Sequence, residues 1–337
     1  MFVSKYLIIL SALYCIFVQN TWANISPHSR IINGNIASEV QIPWQVALVT
    51  NSLDTYQSYF CSASLIADRW VVTAAHCAEQ LKKLNKDYYI LVGTKNLKEN
   101  QYGQIIKVKQ EYIHEKYNNR NYDNDIALLE LEKTVDFIKC GTNCQTIDLI
   151  NSSSKNHNLP IESSVQIAGW GVLEDCENSQ SDTCQQYSGK MIRNPELYPT
   201  TLRYTTLKLT HCLSSSSLYK TEQITENMLC AESLVQDSAT DICFGDSGAG
   251  LTVQNGLDKP YLVGVASWGV GCAKRGYPGV YTRVENYNAW INKYVHPQLA
   301  SKKDDTVSAP SSGGSVSVFM LLILLGLTLV RCKSISG

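Results

Sequence analysis

The sequence lacks the marks of several large function classes. It has no excess of charge of one sign: 29 Lys and Arg stand against 30 Asp and Glu, a formal net charge of -1 over 337 residues. Without a basic field the chain has no electrostatic grip on a phosphate backbone, so nucleic acid is excluded as its partner. Metal-type cysteine spacing is absent. No C-x-x-C pair occurs, and Cys140 and Cys144 find no second pair or H-x-x-x-H to complete a zinc set. Residues 94–104 hold one acid, Glu99, too few oxygen donors for a calcium loop. No segment repeats at a period of about 20 to 50 residues. The sequence therefore calls for no metal and no cofactor.

What is present is ordinary globular material, 44% apolar and 18% charged. Tyr outnumbers Phe nineteen to six, an imbalance to which no function attaches from sequence alone. Twelve cysteines without metal spacing indicate disulfides in an oxidising compartment. The N-terminus agrees: Lys5, an apolar run over 6–18, then Thr21 and Ala23 as small residues, which predicts a signal peptide over 1–23. Asn24-Ile25-Ser26 and Asn151-Ser152-Ser153 are glycosylation sequons, usable only on a secretory route.

The other end predicts membrane attachment. Residues 298–315 form a Ser-rich stalk, 316–330 are nearly all apolar, and 331–337 are a short polar tail. Fifteen helical residues reach about 22 Å against about 30 Å of hydrocarbon. Two readings stay open. One is a short spanning helix, with Arg331 and Lys333 on the inner side. The other is a GPI signal, with Ser311, Ser312 or Gly313 at the attachment site.

Between these ends the pattern is strand-rich. Residues 44–49, 89–92, 105–108 and 261–265 are short β-branched runs separated by turn formers, which predicts an antiparallel sandwich or barrel. One helix is expected at the end, with Val284, Tyr287, Trp290, Ile291 and Tyr294 on one face and Pro297 beyond it.

The chemistry lies in three separated runs. Cys243-Phe244-Gly245-Asp246-Ser247-Gly248-Ala249-Gly250 sets a serine between glycines. A serine hydroxyl is a poor nucleophile until a base removes its proton. Thr73-Ala74-Ala75-His76-Cys77 offers a base, and Asp125-Ile126-Ala127-Leu128-Leu129 a carboxylate to orient it. With Ile31-Ile32-Asn33-Gly34, Gly169-Trp170-Gly171 and Ser267-Trp268-Gly269 in order, residues 31–296 closely resemble the chymotrypsin/trypsin family of serine endopeptidases. The order His, Asp, Ser is the chymotrypsin order, and the fifth residue of a G-x-S-x-G elbow is Ala249, against a lipase or esterase.

The resemblance implies an all-β fold of two antiparallel six-stranded barrels with a C-terminal helix, over 31–297. It implies Ser247 as nucleophile, His76 as general base, Asp125 as its orienter, and the N–H groups of Gly245 and Ser247 as oxyanion donors. Arg30-Ile31 becomes an activation site that releases the propeptide 24–30 and frees an amine to pair with Asp246, so the chain is expected as a zymogen. Asp241 becomes the floor of a pocket for basic side chains, with Gly269 and Gly279 as its walls and Ser267-Trp268-Gly269 pairing with substrate backbone. Cys61–Cys77, Cys212–Cys230 and Cys243–Cys272 match shared disulfides. Cys140, Cys144, Cys176 and Cys184 are left with three connectivities, of which local pairing is expected. Cys15 and Cys332 fall in the apolar termini. Protein or peptide substrates, protein inhibitors, a monomeric state and a cell-surface location follow, with secretion as the alternative.

Three departures qualify the resemblance. Ile242 replaces a small residue beside Asp241, which predicts that Arg is preferred to Lys. Ala249-Gly250 replaces Gly-Pro; if position 249 needs a positive φ, alanine costs about 1 kcal/mol there. That position keeps open an inactive homologue acting as a protein-binding module. Val165 and Val253 stand where many members carry a further disulfide.

Overall fold

Runs of β-branched and aromatic residues cut by turn formers become strands through the middle of the chain. The structure is a computed structural model and describes residues 34–38, 41–150, 159–173, 193–234, 243, 245–254, 259–272 and 274–297. Its strands are β1 (Asn35–Ile36), β2 (Gln45–Val49), β3 (Tyr59–Ala67), β4 (Trp70–Thr73), β5 (Tyr89–Val92), β6 (Gln104–Ile113) and β7 (Ala127–Leu131), then β8 (Asp148–Leu149), β9 (Ser164–Gly169), β10 (Arg203–Thr210), β11 (Met228–Ser233), β12 (Gly250–Val253), β13 (Tyr261–Trp268) and β14 (Gly279–Arg283). The helices are α1 (Thr55–Ser58), α2 (Ala75–Leu84), α3 (Phe137–Cys140) and α4 (Asn288–Val295).

Two barrels result, as the resemblance implies. The first closes in the order β2-β3-β4-β7-β6-β5. The second runs β9-β10-β11-β14-β13-β12 and closes where Thr252 of β12 pairs with Gln166 of β9. β1 adds to β10, and β8 lies parallel to β13. Period-two patterning sets the inward face: Thr205, Leu207 and Leu209 of β10 are buried, while Thr206 and Lys208 between them are partly open. Val165 and Val253, the two departures from cysteine, are 2% and 4% exposed and belong to one core cluster with Leu207, Leu251 and Tyr281. Two valines there keep apolar contact where a disulfide would otherwise join the strands.

The last helix departs from expectation. Val284 to Tyr287 form a 3-10 turn, and the α-helix starts at Asn288. Val284, Tyr287 and Ile291 are buried, whereas Trp290 is only partly so, its Nε1 donating to Glu115 Oε2 at 3.0 Å. Eclipsed i, i+3 side chains are what a 3-10 turn provides, and burial of 284 and 287 together uses that spacing. The chain divides into two units, Met1–Ile291 and Asn292–Gly337. In the second, the His296 N–H donates to Asn292 O at 3.0 Å and closes the helix end.

Among the described residues four disulfides are present: Cys61–Cys77, Cys140–Cys144, Cys212–Cys230 and Cys243–Cys272. Cys140–Cys144 is the local pairing expected. No helix among the described residues is long and apolar enough to cross a membrane. The signal peptide, Asn24, Arg30, Ile31, Asn151, Cys176, Cys184, Asp241, Ile242 and the C-terminal stalk and apolar segment lie outside the described residues.

Candidate active site

The first barrel supplies an imidazole and a carboxylate. Extended Ala74 caps α2, so His76 stands in its first turn, and Cys77 beside it is bonded to Cys61 on β3. Asp125 precedes β7 and is wholly buried. A buried carboxylate is tolerable only when its lone pairs are used. Here Oδ1 accepts the His76 backbone N–H at 2.9 Å, and Oδ2 lies 2.8 Å from His76 Nδ1 and accepts the Ser267 hydroxyl at 2.5 Å. The Asp125 carbonyl accepts Thr282 Oγ1 at 2.7 Å, which ties this loop to the second barrel. Because Oδ2 can only accept, the proton sits on Nδ1 and Nε2 is left as a base. The Tyr122 ring meets the imidazole edge-on at 5.8 Å.

The second barrel supplies the serine. Ser247 lies in the turn that enters β12, close under the first barrel, where the Ser62 N–H donates to the Ser247 carbonyl at 2.8 Å. Asp246 N–H to Cys243 O at 3.0 Å and Ala249 N–H to Asp246 O at 2.9 Å close the turn on both sides. Among the described residues, no acceptor pairs with the backbone N–H of Gly245 or of Ser247. Nor does a hydrogen bond join Ser247 Oγ to His76 Nε2, which lies 3.6 Å from Cys77 Sγ. Such contacts are commonly loose until substrate binds.

The positive φ expected as a hazard at 249 falls elsewhere. Gly245 has φ +100 and Gly248 φ +81, and Ala249 is not in the left-handed region. A Cβ at Gly248 would collide with Thr73 Oγ1 and Ser62 O, so glycine is needed at 248. Ala249 instead puts its methyl group into the second core, where it is fully buried. The cost anticipated for Ala249 does not arise.

Asp246 turns away from His76. Its Oδ1 accepts the Gly171 N–H at 2.8 Å and its Oδ2 the Cys243 N–H at 3.0 Å. The carboxylate sits so close to Gly171 that any side chain there would displace it. Burial pushes the Asp246 carboxyl up to about 6, against the pull of those two N–H groups and of Arg193.

Of the expected pocket residues, Ser267 and Trp268 end β13, Gly269 follows, and Gly279 opens β14, with Trp268 opposite Val280. A Cβ on Gly269 would meet nothing closer than Gly271 O at 3.8 Å, so the space above it is open. The Trp268 ring packs edge-on against Tyr219 at 5.1 Å. Sequence reasoning assigned Ser267 to substrate backbone and missed its bond to Asp125; nothing local to Ser267 announces it. The described cluster of metal-type donors, Cys61, His76 and Cys77, has both sulfurs in a disulfide and offers no thiolate.

Known proteins are similar to this chain along most of its length. The family described as Trypsin matches residues 31–291. The trypsin Blo t 3 of Blomia tropicalis is 34% identical over 264 residues, covering 77% of this chain and 84% of its own. A trypsin of Phaedon cochleariae is 31% identical, covering 80% and 89%. Among solved structures, neuropsin, a serine protease expressed in the limbic system of mouse brain, aligns with a TM-score of 0.57 and 29% identity over 77% of this chain and 97% of its own. Two six-stranded barrels, a histidine–aspartate pair on one and a serine turn on the other thus accompany a match over most of the chain, which belongs to the trypsin family and is a trypsin-like serine endopeptidase.

Proposed function

We propose that this endopeptidase is made as a secretory zymogen, is freed by cleavage after Arg30, and cuts peptide bonds after Arg and, less well, Lys, while attached to the cell surface through its C-terminal region, with 316–330 acting as a spanning helix or as a GPI signal. The observation that carries the catalytic part is one arrangement. A buried Asp125 holds His76 with Nε2 left to accept, and Ser247 shares a turn with two N–H groups that find no acceptor among the described residues.

The chemistry follows from those groups. Ser247 Oγ attacks the scissile carbonyl as His76 Nε2 takes its proton, and Asp125 stabilises the imidazolium that forms. The Gly245 and Ser247 N–H groups receive the oxyanion, a contribution of about a hundred- to a thousandfold per donor. The imidazolium returns its proton to the departing amine, and water repeats the sequence to release the acyl group. Asp241 is assigned to the substrate cation by resemblance. Ile242 beside it makes that floor drier, where a guanidinium holds a carboxylate with two bonds and an ammonium does not.

The test uses the full chain cleaved after Arg30. A fluorophosphonate should label Ser247 in the cleaved protein and not in the Ser247→Ala form. Labelling equal in the two would overturn the enzyme reading. Fluorogenic peptides differing only in Arg or Lys should show kcat/KM about five- to tenfold higher for Arg; equal values would remove the role given to Ile242.

A further inference from the structure

We propose that Arg193 is a positioning residue for the Gly245–Ser247 turn, acting through Tyr59 and through the Trp170–Gly171 peptide. The proposal rests on the reading of Gly245 and Ser247 as oxyanion donors. Arg193 has no part in the chemistry above, yet its surroundings are built around it. Its guanidinium carbon lies 4.4 Å from the ring centre of Tyr198, 4.8 Å from that of Tyr59 and 5.6 Å from that of Tyr56. Three aromatic faces around one planar cation exclude water and favour Arg over Lys. Among the described residues no carboxylate lies within ion-pair distance of it, and its Nε is buried without an acceptor. A cation taken out of water this far is held there only by what its remaining donors bind.

Those donors reach the catalytic turn by two routes. Nη2 donates to the Trp170 carbonyl at 2.6 Å, and the N–H of the same peptide group, on Gly171, donates to Asp246 Oδ1 at 2.8 Å. One peptide therefore has a cation at its oxygen end and the Asp246 carboxylate at its N–H end, and each polarises the bond to the other. By the second route Arg193 sits over Tyr59 and places Nη1 3.5 Å from the Tyr59 carbonyl. The Tyr59 hydroxyl donates to Gly245 O at 2.5 Å. Gly245 O and Asp246, which follow one donor and precede the other along the chain, are thus both held by groups that Arg193 organises. Arg193 is itself clasped: its N–H donates to Gln57 Oε1 at 2.9 Å, and Gln57 Nε2 donates to its carbonyl at 3.0 Å.

Two measurements separate positioning from general stability. In the Ser247→Ala full chain, Arg193→Met should speed amide hydrogen exchange across 243–249 at least fivefold and leave β2 unchanged. In the cleaved active chain, the same substitution should lower kcat ten- to thirtyfold. It should weaken a peptide boronate, which forms a tetrahedral adduct needing both donors, by a similar factor, and shift benzamidine, which fills only the specificity pocket, less than twofold. Tyr59→Phe should reproduce these effects in part. Unchanged exchange overturns the proposal, and so does equal loss of boronate and benzamidine. Should Arg193→Met not fold, Tyr59→Phe carries the same readouts, and its indifference overturns the proposal as well. An inert parent enzyme would sink the protease reading alone, since the exchange measurement needs no activity.

Discussion

Asp125→Asn should leave the fold intact and lower kcat about ten-thousandfold at neutral pH, with KM moved little. The size follows from the hydrogen bonds around one carboxylate. Oδ1 faces the His76 backbone N–H, an obligate donor, while Oδ2 faces His76 Nδ1 and the rotatable Ser267 hydroxyl. An asparagine amide has one acceptor and one donor end. Turning its NH2 toward the backbone N–H would oppose two donors inside a wholly buried site. The oxygen therefore stays with the backbone, and the NH2 faces Nδ1. Ser267 can rotate to accept, so nothing resists this orientation. The imidazole must then accept at Nδ1 and carry its proton on Nε2, the nitrogen that has to take the proton of Ser247. The measurement is kcat on a fluorogenic Arg peptide, with thermal unfolding of the same preparation as the control. A loss below tenfold in a folded protein would remove Asp125 from its assigned role.

His76, Asp125 and Ser247 each lie in a run whose neighbours have local work. Cys77 pins the start of α2, and Gly248 lets the turn pass under Thr73 and Ser62. Local demands leave local patterns. Ser267 and Asp125 are 142 residues apart and meet only because β13 of one barrel faces the loop before β7 of the other. The cage of Arg193 is more scattered still, drawing Tyr56, Tyr59 and Tyr198 from two distant segments, and no local pattern marks it. The apolar, β-branched runs at 44–49, 89–92, 105–108 and 261–265 announced β2, β5, β6 and β13, whereas β10, whose wet face carries Thr206 and Lys208 between buried neighbours, did not stand out. Position 249 misled because sequence shows that a turn needs a left-handed residue without showing which one. The geometry gives that burden to Gly245 and Gly248 and makes Ala249 a core residue. With it goes the one sequence feature that had favoured an inactive homologue.

The uncleaved chain should lose stability as pH rises from about 4 to 6, by about 3 kcal/mol, through Asp246. Its carboxyl is wholly buried, and burial raises it from 3.8 to about 6. Between those values the unfolded chain has released the proton and the folded chain still holds it. The stabilisation is complete below 3.8 and is lost as pH climbs through about 6. At about 1.4 kcal/mol per pH unit this window accounts for the 3 kcal/mol. The groups that face the carboxyl are the Gly171 and Cys243 N–H donors and the Arg193 cation, all of which favour ionisation and are outweighed by desolvation. Urea unfolding of the uncleaved Ser247→Ala chain at pH 4 to 7, beside the same chain carrying Asp246→Asn, isolates the effect. The asparagine imposes its own cost, but that cost does not vary with pH, so only the difference in slope is read. Parallel curves would show that the carboxyl does not carry this penalty. If cleavage after Arg30 brings an Ile31 ammonium beside Asp246, as the family resemblance implies, the difference should flatten, because that cation would lower the folded carboxyl and remove the reason to hold the proton. The penalty of a buried, unpaired carboxylate in the precursor would thereby become the driving force that draws the new N-terminus inward.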